Sequence, residues 1–292
     1  MEPASPLVAV EWRQAAAALA DEVEKVTGLL RSVGDPGTPA MGQWNLAEVA
    51  MHLSQAWIIV PGMAADDLSA VHELLPHLKG TAGASLITDV WDLGETTMSG
   101  VDADAERDPS VLADRIEARA HAFLGALDDL VADTSHAWLV EGVPVTTTTL
   151  ICHLLNETIV HGYDIARADG RTWPISRPHA AMVFDGFILP VFVGLGPRAM
   201  VDQQAAKGLR ATYQLHFRGG SSYVFSFDDG ALVIEQPGPR RVDCHISADP
   251  AAMLLVGWGR RSQWPAIARG QIVAWGRKPW LGPRFRSLVR NP

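Results

Sequence analysis

The chain has 292 residues, 48% hydrophobic and 20% charged, an ordinary globular composition with enough length for two domains. A net charge of -9 and an isoelectric point near 5.5 set it against nucleic acid or an anionic membrane as a main partner. Two cysteines, Cys152 and Cys244, make neither a disulfide framework nor a cysteine-rich zinc site, and they fit a reducing cytoplasm.

The acidic start, MEPASPLVAVEWRQ, carries no basic n-region of a secretory signal, and no run reaches the ~18 apolar residues of a spanning helix. From Leu7 to about Val33, the residues Val8, Trp12, Ala16, Leu19, Val23, Val26 and Leu30 keep helical spacing, and Gly34, Pro36 and Gly37 end the run. A second helix opens at Asn45, whose pairing with Glu48 has the form of a capping box. Val49, Leu53, Ala56, Trp57 and Val60 form its apolar stripe, with Pro61-Gly62 as the expected stop. His52 lies ~40° from Ala56 and ~60° from Val49 around this helix, so it edges the buried face.

The pattern weakens from Met63 to Arg107, where short helices are expected over Leu68 to Leu78 and Ser85 to Met98. Irregular insertions of this length often build a lid or pocket wall, which His72 and His77 could line. Asp108-Pro109 opens a third long helix through Leu112, Ile116, Ala120, Phe123 and Leu127 to about Val131. His121 on this helix and His136 in the loop that follows are both expected on the surface, with Thr149 as the next helix cap.

The fourth helix, Leu150 to Ala168, organises the chain. His153, Glu157 and His161 recur every four residues, ~40° apart on one face, and Asp164 returns to the same stripe. Leu150, Leu154 and Val160 surround them, so the stripe faces an interior, where unpartnered carboxylate and imidazole groups are costly. A divalent metal is one partner that satisfies all of them together. Cys152 lies ~140° from Glu157 and is not placed as a nucleophile. Four amphipathic helices make a four-helix bundle of residues 1–172, in which His52 from the second helix meets Glu157 and His161 from the fourth. Three protein donors leave a coordination position open, as in catalytic sites.

WNLAEVAMHLSQAW followed far downstream by HLLNETIVHGYDIARADG resembles the mycothiol-dependent maleylpyruvate isomerase family, within the wider DinB-like metal-binding bundles. The resemblance implies His52, Glu157 and His161 as metal ligands; the donor set itself makes zinc the first expectation, while nickel, iron and cobalt accept similar donors. It implies mycothiol as the thiol cosubstrate and a small electrophile as substrate. His153 and Asp164 then support the ligands or move protons. ADPAAMLLVGWGRR with ARGQIVAWG looks like the sterol-carrier-like second domain of the same family.

Read directly, residues 173–292 form an α+β domain with an antiparallel sheet. Arg171 to Pro178 is a linker and His179 to Leu195 an apolar helix. Strands are expected over Ala211 to Phe217, around Tyr223, Phe225 and Phe227, then Leu232 to Glu235, Val242 to Ser247 and Gln271 to Trp275. Asp229-Gly230 marks a hairpin, Asp249-Pro250 opens a helix to Trp258, and Pro279 to Val289 closes the chain as a helix. Arg260, Arg261 and Arg269 are candidate donors to an anionic substrate or thiol. Two functions fit: a metal- and thiol-dependent isomerase or transferase, and a binding protein that holds an apolar ligand beside a structural metal.

Overall fold

The computed structural model describes residues 7–74, 87–128 and 134–290. Two compact units divide the chain between Pro174 and Ile175.

The first unit is built on four long helices, α1 (Trp12–Leu30), α2 (Leu46–Ala64), α5 (Pro109–Ala126) and α6 (Thr147–Ala168). α1 and α2 each pack against both α5 and α6, which closes a four-helix circuit. Leu19, Val26 and Leu30 of α1, Leu53 and Trp57 of α2, Leu112 and Ile116 of α5, and Leu150 and Ile159 of α6 fill the centre. α2 opens on the capping box: Glu48 N donates to Asn45 Oδ1 and Asn45 N donates to Glu48 Oε2.

Pro61-Gly62 does not stop α2, which continues to Ala64. Pro61 sits in the last turn, where its missing N–H costs one bond, and Asp66 ends the helix at a left-handed φ of 52°. Gly62 stays inside the helix for a different reason. A Cβ there would come 2.8 Å from the carbonyl oxygen of Asp67, where the chain folds back.

The insertion holds α3 (Ser69–Leu74) and α4 (Leu93–Ala103), the latter preceded by one 3-10 turn at Val90–Asp92. Residues 75–86, with His77, lie outside the described residues. Ser85 lies outside the described residues too; after this stretch Ile87 pairs as a bridge with Val140, and Asp89 caps the 3-10 turn at Trp91 N. Asp108 caps α5 through Ser110 N; the expected end near Val131 also falls outside the described residues.

A short antiparallel pair, β1 (Pro39–Met41) and β2 (Trp44–Asn45), precedes α2, and the expected loop before α6 contains a hairpin of β3 (Ser135–Ala137) and β4 (Pro144–Thr146). It buries His136, which was expected at the surface, against Thr147 Oγ1 at 2.9 Å. His121 is exposed. The hairpin also decides the cap of α6. Thr146 ends β4 in extended backbone and accepts from Thr149 N, so Thr146 is the cap and Thr149 lies in the first turn.

In the second unit, the stretch Arg177–Leu195 is helical throughout, with a π-helical segment at Phe184–Ile188 between α7 (Arg177–Val183) and α8 (Leu189–Leu195). By length and composition alone it is long and apolar enough to cross a membrane, although Arg177, His179 and Asp185 interrupt it, so it is not an unbroken apolar run of ~18 residues. Its Asp185 nonetheless accepts from Ser221 and Tyr223, and Phe184 stacks on Phe217, so it packs on the sheet of its own unit.

That sheet has five strands, β5 (Arg210–Phe217), β6 (Ser222–Asp228), β7 (Ala231–Glu235), β8 (Cys244–Ala248) and β9 (Ile272–Trp275), in the order β7-β6-β5-β8-β9. The sheet is antiparallel-dominated, as expected, and the one parallel pairing is that of β5 with β8. A hairpin joins β6 to β7, whereas β8 enters beside β5 in the same direction. Tyr213, Leu215, Phe217, Tyr223, Phe225 and Phe227 share the buried face. The turn at Asp229-Gly230 takes left-handed φ values of 46° and 82°, as a tight hairpin turn requires. α9 (Pro250–Gly257) is capped by Asp249, and the closing segment is a 3-10 helix (Pro279–Arg284) followed by one α turn (Phe285–Leu288).

Candidate metal centre

α2 and α6 lie side by side in the first unit and bring three side chains from distant parts of the chain together. One ligand atom each from His52, Glu157 and His161 all lie within 4.8 Å of one another. Glu157 is the hinge of the group. Its Oε2 is 3.4 Å from His52 Nε2 and 3.2 Å from His161 Nε2. The two imidazoles meet edge to face, with centroids 4.7 Å apart, and the Trp44 ring leans on His52 at 5.4 Å.

Asp164 and His153 flank the trio. Asp164, 1% exposed, places Oδ2 at 3.3 Å from His161 Nδ1. His153 lies one helical turn before Glu157, its Nε2 3.6 Å from Oε1. Two further residues, not singled out in the sequence, complete the surroundings. Asn156 Nδ2 donates to Glu157 Oε1 at 3.2 Å, and Trp138 Nε1 lies 3.5 Å from His153 Nδ1. Asn156 carries a readable signal, being a polar residue beside Glu157 on an apolar helix. Trp138 carries none, since it belongs to the connection between β3 and β4.

Charge and burial oppose each other here. Burial alone would raise the Glu157 pKa, yet His161 and His52 hold it well below the ordinary carboxylate value. Burial disfavours a protonated His161, but the carboxylates of Asp164 and Glu157 outweigh it and push its pKa up to about 9. For His153, burial dominates and lowers the pKa, with Glu157 opposing and His52 assisting.

Arg260, Arg261 and Arg269 belong to the second unit. Arg260 Nη1 donates to Trp258 O at 3.0 Å, following the turn after α9, while Arg261 and Arg269 are exposed. His72 is half-buried in α3.

A bundle carrying a His-Glu-His cluster on two facing helices, joined to a mixed α+β unit, defines the class of the protein. Residues 12–166 match the family described as mycothiol maleylpyruvate isomerase N-terminal domain, more than half of the chain, and the chain belongs to that family. Among solved structures, that of the mycothiol-dependent maleylpyruvate isomerase is similar over 93% of this chain and 95% of its own, at 11% identity and a TM-score of 0.49. A mutant of the same enzyme gives 10% identity and 0.48 over the same shares. The UbiJ-SCP2 ubiquinone synthesis protein is similar over 29% of this chain and 68% of its own, at 17% identity and 0.25. No curated protein matches the sequence.

Proposed function

We propose that the chain is a metal-dependent enzyme that uses a low-molecular-weight thiol, mycothiol, in an isomerisation or S-transfer on a small electrophile. The observation that carries this reading is the convergence of His52, Glu157 and His161. The donor set fits a divalent cation. Two imidazole nitrogens lie against one carboxylate oxygen, and all ion pairs of Glu157 among the described residues are with histidines. No lysine or arginine is paired with the carboxylate there, and two nitrogens with one oxygen form a set that suits zinc. When bound, the cation supplies Lewis acidity that keeps a thiol as thiolate near neutral pH.

The chain's own residues do the holding and aiming. His52, Glu157 and His161 grip the cation, Asp164 orients the His161 ring through Nδ1, and His153 supports Glu157 or carries protons. In the substrate, the thiol sulfur bonds to an alkene carbon and the π pair moves onto the conjugated carbonyl. The former double bond turns as a single bond. The pair then returns, the carbon–sulfur bond breaks and the thiolate leaves. In a transfer, the carbon–sulfur bond persists and the adjacent carbon takes a proton. Arg260, Arg261 and Arg269 are the candidate donors to an anionic substrate or thiol, from a second unit read as sterol-carrier-like. A reducing cytoplasm is the compartment that keeps such a thiol available.

Metal analysis of the purified chain tests the reading. One divalent ion per chain is expected, lost in a folded His52→Ala variant together with thiol-dependent turnover of maleylpyruvate or a related electrophile. A folded wild type that takes up no divalent ion overturns it, and a tightly held lipid in such a sample favours the binding-protein reading.

A further inference from the structure

We infer that Glu157 offers one oxygen to the cation because its other oxygen is already engaged, and that Asn156, through its hydrogen bond, and His153, through close electrostatic contact, are the positioning residues that engage it. The inference rests on the metal-centre reading above. It starts from the unequal surroundings of the two carboxylate oxygens. Oε2 faces the two ligand imidazoles, at 3.4 Å from His52 and 3.2 Å from His161. Oε1 has different neighbours. It accepts from Asn156 Nδ2 at 3.2 Å and has His153 Nε2 at 3.6 Å. A carboxylate has about four lone-pair sites over two oxygens, so the Asn156 amide on Oε1, with His153 close beside it, competes with a bidentate grip.

The His153 ring is itself aimed. Trp138 Nε1 lies 3.5 Å from its Nδ1. An indole N–H can only donate, so Nδ1 must be the bare nitrogen of the neutral ring. The ring proton is then on Nε2, the nitrogen that faces Glu157 Oε1. Trp138, His153 and Asn156 are 3%, 6% and 2% exposed, so water does not readily replace any of them. A bidentate Glu157 would give the cation four protein atoms. A single-oxygen Glu157 gives it three and leaves a position that a thiol sulfur can take.

Cobalt(II) reports this directly, since its visible bands are strong when four-coordinate and weaken as the coordination number rises. Cobalt(II)-loaded wild type is expected to show the strong bands. The Asn156→Leu/His153→Leu double variant frees Oε1 and is expected to show weakened bands. Its cobalt binding, measured by chelator competition, is expected to be about 10–100-fold weaker. Asn156→Leu alone gives an intermediate spectrum and serves as the readout if the double variant does not fold, as judged by circular dichroism. A folded variant with the wild-type spectrum and affinity overturns the inference while leaving the metal centre standing. A wild type that takes up no cobalt overturns both.

Discussion

Gly162 follows His161 in α6, and the ring of Trp173 rests on it. A Cβ at position 162 would lie 2.4 Å from Trp173 Cζ2 and 2.8 Å from Cε2. Carbon atoms settle at ~3.5–4.0 Å, so Gly162→Ala must displace the ring or the helix by roughly 1 Å. The ring is not free to yield. The Lys25 ammonium sits 4.0 Å from its centroid and donates to Pro174 O at 2.6 Å. Overpacking of this kind costs about 1–3 kcal/mol, and loosening the cation–π contact adds about 0.5–1 kcal/mol. Alanine returns about 1 kcal/mol as the better helix former. The net expectation is a loss of about 0.5–3 kcal/mol, read as a lower urea midpoint at unchanged slope. Trp173→Leu in the same chain is expected to recover part of it, with a coupling energy of about 0.5–3 kcal/mol. A Gly162→Ala variant within about 0.5 kcal/mol of wild type refutes the contact as the reason for this glycine.

Two other perturbations test the balance of charge and burial. Replacing a buried ionic cluster by apolar residues is often neutral or stabilising by about 1–4 kcal/mol. With chelator present, the His52→Leu/Glu157→Leu/His161→Leu triple variant, made together with Asp164→Asn so that no buried carboxylate loses the His161 imidazole, is therefore expected to match or exceed wild-type stability. It should gain nothing from added zinc, whereas wild type gains about 2.7 kcal/mol at a hundredfold excess over Kd. A combined variant clearly weaker than chelated wild type in urea denaturation contradicts this. At Asp243, burial works to raise the carboxylate pKa, but Lys278, the Thr212 amide and Arg277 together hold it below the ordinary value. The folded pKa lies below the unfolded one, so this stabilisation is full above the unfolded value and disappears as pH falls through the folded one. Asp243→Asn is expected to cost stability at neutral pH, with the gap to wild type closing in acid. An equal gap at neutral and acid pH sinks that assignment.

The helices were legible because a 3.6-residue period encodes direction as well as structure. Val49, Leu53, Trp57 and Val60 mark the buried stripe of α2, and the four-residue spacing from His153 to Glu157 to His161 puts all three on one face of α6. Caps with one candidate, Asn45 and Asp108, were equally readable. In the run Thr146–Thr149, local chemistry does not choose the cap; the pairing of β4 with β3 does, by holding Thr146 extended. The same hairpin buries His136, a residue with no periodic pattern around it to signal a partner. The parallel pairing of β5 with β8 was hidden for a related reason, since alternation shows which face is buried and not which neighbour a strand takes.

One consequence of that hairpin reaches the candidate site. His136 Nε2 contacts Thr147 Oγ1 at 2.9 Å, and its Nδ1 lies 3.5 Å from Asp66 Oδ1. This ties the end of α2 to the start of α6, with the two helices running in opposite directions. From Asp66 back to His52 is 14 residues, and from Thr147 on to His161 is also 14. At ~1.5 Å of rise per residue, both arms reach about 21 Å from the same pin. Equal arms from a shared end place His52 level with His161, with Glu157 one turn away. The histidine in the hairpin and the two in the helices are thus parts of one geometric arrangement, in which the register of the bundle brings the early imidazole to the later pair.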